Sequence, residues 1–94
     1  MNVTLQNDGT LTIPLSGKSN SIDVLAESKE LLDESKSVVF DLAEKDIIVS
    51  QDIGFLLAIY KQSRHHNCAI INANQSVVDI LTMAQIHNLI ELRN

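Results

Sequence analysis

Between Val38 and Lys61 the chain runs VVFDLAEKDIIVSQDIGFLLAIYK, and this stretch restricts the fold more than any other. Ser37 to Leu42 is short, β-branched and almost continuously apolar, which predicts a strand covered on both faces in a parallel sheet. Ala43 to Asp46 follows as a turn, and Ile47-Ile48-Val49 leads back to the core before Ser50. From about Gln51 to His65 the apolar spacing predicts a helix that ends near Asn67, a residue able to adopt the left-handed conformation of helix C-termini. A buried strand, a turn bearing a hydroxyl and an apolar helix therefore stand in direct succession.

The hydroxyl belongs to Ser50, which suits the N-cap position, where it would accept from the backbone N–H of Asp52 or Ile53. Asp52 would complement the positive end of the helix dipole. Gly54, in the first turn, costs about 1 kcal/mol relative to alanine, so a neighbouring backbone or a partner is expected to approach it closely. Ile53, Leu56, Leu57 and Tyr60 fall on one side of this helix, whereas Phe55 and Ile59 fall on another. Either flanking helices cover that second pair, or it forms a partner-binding patch beside Ser50.

Elsewhere the pattern alternates between strands and helices. Val3 and Leu5, the turn Asn7-Asp8-Gly9, and Leu11, Ile13 and Leu15 predict a β-hairpin, with Pro14 at an edge or where the ladder needs no donor. Ser21 to about Ser35 predicts a helix whose outer face carries Asp23, Glu27, Lys29, Glu30, Asp33 and Glu34. Cys68 to Ala73 predicts another buried strand. Ser76 is the expected cap of a third helix reaching about Gln85, with Val77, Ile80, Leu81 and Ala84 inward and Met83 and Ile86 as weaker candidates for an exposed patch. Leu89 to Leu92 closes the pattern as a short strand. Strands separated by helices at this spacing imply parallel crossovers, so the expected fold is α/β: a mixed sheet with an N-terminal hairpin and about three main helices, in one domain spanning 1–94.

Composition excludes several function classes. Seven basic against twelve acidic residues give a net charge of −5, with no basic face to neutralise phosphates, so nucleic acid is not an expected partner. The longest apolar run, Phe55 to Tyr60, is far short of the roughly 20 residues that span a bilayer. No basic start followed by an apolar core marks the chain for export, and a single cysteine, Cys68, fits a reducing compartment; a cytoplasmic location is expected. Adjacent His65 and His66 point to different sides of a helix end and make a poor metal clamp, His87 stands alone, and Cys68 opens a buried strand. The glycines are scattered at 9, 17 and 54, which leaves no phosphate loop. Neither a catalytic group, a metal nor a cofactor is expected, and the chain reads as non-enzymatic.

The order of elements, with Phe40-Asp41-Leu42, then Ser50, Gly54, Leu56 and Leu57, then Ile70-Ile71-Asn72-Ala73-Asn74 with Val77 and Leu81, resembles the STAS family of bacterial anti-sigma factor antagonists. The resemblance covers about Gly9 to Leu92. In that family the strand-to-helix turn reads Asp-Ser-Ser-Gly-Leu-Gly, and its first serine accepts phosphate from a partner kinase. Here the turn is Val49-Ser50-Gln51-Asp52-Ile53-Gly54, which keeps the acceptor as Ser50 and the second glycine as Gly54 while changing the acid, the second serine and the first glycine. A further family acid falls on Asn20.

The resemblance implies a regulatory module that binds a kinase-type or anti-sigma partner, with Ser50 as phosphoacceptor and Gln51, Asp52, Gly54, Phe55 and Ile59 as contact surface. The family also contains small constitutive subunits that accompany the ATPase of bacterial lipid-transport ABC systems, and the altered turn fits that alternative. A third expectation is that Asp52 acts as a built-in negative charge that locks the module in one state.

Overall fold

The computed structural model describes residues 3–16, 22–63 and 67–93. Strands β1 (Thr4–Leu5) and β2 (Thr10–Ser16) form the hairpin, followed by α1 (Ile22–Leu32), β3 (Ser37–Glu44), α2 (Ser50–Gln62), β4 (Asn67–Ile71) and α3 (Gln75–Met83). A 3-10 turn, Ile86–Asn88, then leads to β5 (Glu91–Arg93). The sheet order is β1-β2-β3-β4-β5, antiparallel at the hairpin and parallel across the other three pairs.

Gly9 closes the hairpin with φ +91°, the left-handed region that glycine tolerates. A Cβ there would also stand 2.9 Å from Cγ of Lys36. The Thr10 amide donates to the Asp8 carboxylate at 2.9 Å, and this bond holds the Asp8 carboxyl below its usual range. The carbonyl of Gly9 accepts from the Lys36 amide at 2.7 Å, which ties the hairpin to the start of β3.

Each parallel strand is laid down next to its predecessor, so the crossovers step in one direction and their common right-handed sense places the helices on one face. The core agrees with that placement. Leu11, Ile13, Leu15, Val38, Phe40, Leu42 and Ile70 of the sheet are buried against Leu32, Phe55, Leu56, Ile59, Val77, Leu81, Ile86 and Ile90. On the other face Thr12, Val39, Ala69 and Glu91 stand in one row and Pro14, Asp41, Ile71 and Arg93 in the next. Val39 and Ile71 are only half-buried and lie outside the core.

The expectation that β3 is covered on both faces is therefore corrected. Val39 interrupts the alternation of Val38 and Phe40 with an apolar side chain that sits among its sheet neighbours, not under a helix. Pro14 meets its expectation: β1 pairs only as far as Thr12, and the β2–β3 register shifts between Pro14 and Ser16, where a missing N–H is tolerated.

Helix boundaries also move. α2 ends at Gln62, capped by Ser63, whose amide donates to the Ile59 carbonyl at 2.9 Å and whose hydroxyl donates to the same oxygen at 2.8 Å. Asn67 belongs to β4 and is not a helix cap. α3 begins after Asn74, whose side-chain oxygen accepts from the Val77 amide at 2.9 Å, so Asn74 takes the capping role expected of Ser76. Ala84, expected inward, is exposed, and the last strand starts two residues later than expected. Among the described residues no helix is long and apolar enough to cross a membrane.

Candidate functional site

Parallel strands end at the same edge of the sheet, and there the β3–α2 and β4–α3 turns meet. Asn74 joins them: its amide donates to the carbonyls of Lys45 and Asp46, each at 3.2 Å, while its oxygen caps α3. Asn72, in the left-handed conformation at φ 61°, donates to Asp41 at 3.1 Å, and the same Asp41 oxygen accepts from the Ala43 amide at 3.0 Å. These bonds fix where β3 releases the chain.

Beneath the turn lies an ion pair. Lys45 Nζ is 2.8 Å from Asp52 Oδ1, with side-chain exposures of 4% and 1%. Asp52 Oδ2 accepts from the Val49 amide at 2.9 Å, and the Val49 carbonyl in turn accepts from the amides of Asp52 (2.9 Å) and Ile53 (3.2 Å). Val49 is thus the N-cap of α2, and the cap is supplied by the buried carboxylate three residues on, one half of a capping box.

This arrangement corrects several expectations. Ser50 is not the N-cap but the first helical residue, and it is exposed because the capping work comes from Asp52 below. Asp52 is a buried half of an ion pair, not a surface contact, and its charge is not presented to a partner as the built-in switch would require. Phe55 and Ile59, 7% and 0% exposed, pack into the core together with Leu56. Asp52, Phe55, Leu56, Ile59 and Ser63 form the inner face of α2, while Ile53, Leu57 and Tyr60 pack against the core from its flanks. Neither expected arrangement holds for the Phe55–Ile59 pair: the two lie on the inner face itself, buried in the core, and are not a surface patch.

What does face water beside Ser50 is different. Gln51 and Gly54 are exposed as expected, and the space over Gly54 is open: an added Cβ would meet nothing within 4 Å. No neighbouring backbone accounts for that glycine. Ile47 and Val49 stand 62% and 48% exposed, whereas Ile48 between them is buried. Sequence reasoning sent Ile47, Ile48 and Val49 to the core together. The usable signal was that three consecutive side chains of a turn cannot all enter one core. Lys45 and Asn74 were missed because their partners lie 7 and 29 residues away.

The remaining candidate groups lie apart from this edge. His65, His66 and Asn20 fall outside the described residues, and His87 is exposed in the 3-10 turn. Cys68 Sγ is 3.3 Å from the Ser63 hydroxyl, and burial pushes its thiol up, away from the reactive thiolate. Met83 and Leu89 are exposed, while Ile86 is buried, which removes it from the weaker patch expected on α3. Among the described residues no three His, Cys, Asp or Glu side chains gather to hold a metal.

No protein-family model matches the chain, and no curated protein matches it. Among solved structures it is similar to a Thermotoga maritima protein described as an anti-sigma factor antagonist, with a TM-score of 0.73 over 98% of this chain and 84% of that one at 16% identity. That likeness establishes the fold: the chain has the mixed α/β architecture of an anti-sigma factor antagonist, the STAS fold.

Proposed function

We propose that the chain is a regulatory protein-interaction module of the anti-sigma factor antagonist type, which docks an ATPase partner of the kinase or anti-sigma class over the β3–α2 turn. The observation that carries this reading is the surface around Ser50: an exposed hydroxyl at the start of α2, flanked by exposed Ile47 and Val49 and by the open space over Gly54. An exposed helical glycine sacrifices helix stability of about 1 kcal/mol, and close approach by a partner backbone is the use the free chain does not supply. Gln51 belongs to this surface. Phe55, Ile59 and Asp52 support it from within.

Ser50 is the proposed phosphoacceptor. A phosphoryl group there adds about −1.5 to −2 charges at a helix N-terminus, which accommodates anions without unfolding the domain. The same charge would face a partner seated on Ile47 and Val49, and its desolvation would weaken the complex. The test is to capture the ATPase with the purified protein, incubate it with ATP and either the parent chain or Ser50→Ala, and locate the phosphate by mass spectrometry. Phosphate confined to the parent, on Ser50, is the expected result; equal labelling of the variant removes Ser50 from the mechanism.

A second reading is favoured by one observation. The turn is tied down in the free chain at Lys45, Asp46 and Val49, as a permanent subunit of an ABC-type ATPase complex would require. Capture of an ABC ATPase in place of a kinase-type partner selects it.

A further inference from the structure

The β3–α2 turn carries three apolar residues in a row, Ile47, Ile48 and Val49, but its geometry admits only one to the core. Ile48 enters, 5% exposed, and its neighbours stay in water. A shift of one position in this turn would exchange a buried side chain for an exposed one of nearly the same size and hydrophobicity. Apolar burial alone therefore discriminates weakly between the arrangements. Something else must choose Ile48.

Polar bonds brace the turn on both of its sides. On its upstream side Lys45 is held through its ammonium by Asp52 and through its carbonyl by Asn74, and the Asp46 carbonyl is held by the same amide. On its downstream side the Val49 amide is held by the second oxygen of Asp52. One carboxylate thus grips both ends of the turn, Lys45 and Val49, with three residues between the grips.

We propose that the buried Lys45–Asp52 pair is a register latch: two positioning residues that select Ile48 as the core plug and hold Ile47, Val49 and Ser50 outward in a single arrangement. A buried ion pair is a poor source of net stability, because desolvation of both charges offsets their attraction, but fixing a register is the use best attested for such pairs. The latch deepens the reading of this turn as a recognition surface and takes its purpose from it. Its test needs no partner, so its failure leaves the partner question where it stood.

The variant is Lys45→Met with Asp52→Asn, which removes both charges, leaves neither buried alone, and keeps an acceptor for the Val49 amide. Residue-resolved NMR compares it with the parent. The expected result is amide exchange at Ile48 and Val49 faster by about tenfold or more, with Phe40 and Ile70 in the sheet unchanged, because only local opening is altered. Methyl signals of Ile47 and Ile48 should split into two sets. Adding Ile47→Ala and Val49→Ala to this background removes the competing plugs and should restore one set of signals and parental protection.

Unchanged exchange in the first variant overturns the latch, as does equal loss of protection in turn and sheet, which would make the pair a contributor to global stability only. A first variant that fails to fold is read through the second, and failure of both to fold overturns it as well.

Discussion

Two strand-to-helix turns stand side by side at one edge of the sheet, and they cap their helices from opposite directions. At the β4–α3 turn the cap is the exposed Asn74, whose side chain folds back over its own helix. At the β3–α2 turn the N-cap is Val49, which has no polar side chain, and the acceptor comes from the buried Asp52. The consequence is spatial. A cap delivered from outside occupies the outer surface of the turn, whereas one delivered from within leaves that surface to other groups. Only the second turn leaves a serine hydroxyl and two apolar side chains, Ile47 and Val49, exposed together.

The two turns should differ most in their response to loss of Asp52. Asp52→Ala strands the Lys45 ammonium in the interior and removes the acceptor of the Val49 amide, so a loss of about 3–5 kcal/mol is expected. For a domain of this size each kcal/mol shifts the thermal midpoint by about 4–8 °C, so the melting curve should fall by more than about 12 °C. A shift within about 4 °C would mean that the pair is not energetically buried.

Asn74→Ala tests the other turn. It removes one cap and two amide bonds, all to backbone groups near the surface, and about 1–2 kcal/mol should be lost in urea denaturation. The loss should also loosen its neighbour, because the same amide holds the Lys45 and Asp46 carbonyls. Faster exchange confined to residues 75–78 would separate the two turns and weaken the comparison.

How far the sequence discloses this arrangement depends on the range of the interactions involved. The hairpin follows from Asn7-Asp8-Gly9, and the three crossovers follow from apolar runs of strand and helix length, because both are local patterns. The order of strands does not follow from those runs: that each crossover returns next to the strand it left is seen only in three dimensions. The site is less legible. Ser50 looks like an N-cap by residue type, and only the Lys45–Asp52 pair, formed in three dimensions, transfers capping to Asp52 and frees the hydroxyl. Phe55 and Ile59 look surplus on a helical wheel drawn around Ile53 and Leu57. The true inner face is centred on Asp52, Phe55, Leu56 and Ile59, and an aspartate at its edge is what disguised it.

Gly54→Ala acts on the β3–α2 side in the stabilising direction. The added methyl meets nothing within 4 Å, so the free protein should gain about 0.5–1 kcal/mol from helix propensity. If the open space is where a partner backbone sits, affinity for the captured ATPase should fall although stability rises. Calorimetry on the free chain and titration of the complex measure the two effects separately. Parental affinity in the stabilised variant would place the docking surface elsewhere.

The smallest expected effect is at Ser50. A serine that served as N-cap would cost about 1 kcal/mol on replacement by alanine. Ser50 instead occupies the first helical position, exposed, with capping already performed by Asp52, so Ser50→Ala should change stability by less than about 0.5 kcal/mol in either direction. Paired with Asp52→Ala, it separates the two residues that residue type alone assigns to the same task. A loss near 1 kcal/mol would show that the hydroxyl does cap α2 in solution, and would take from Ser50 the freedom that its proposed modification requires. A silent substitution would leave the hydroxyl dispensable for the fold, which is the condition under which a group at this position can be altered without unfolding the module that carries it.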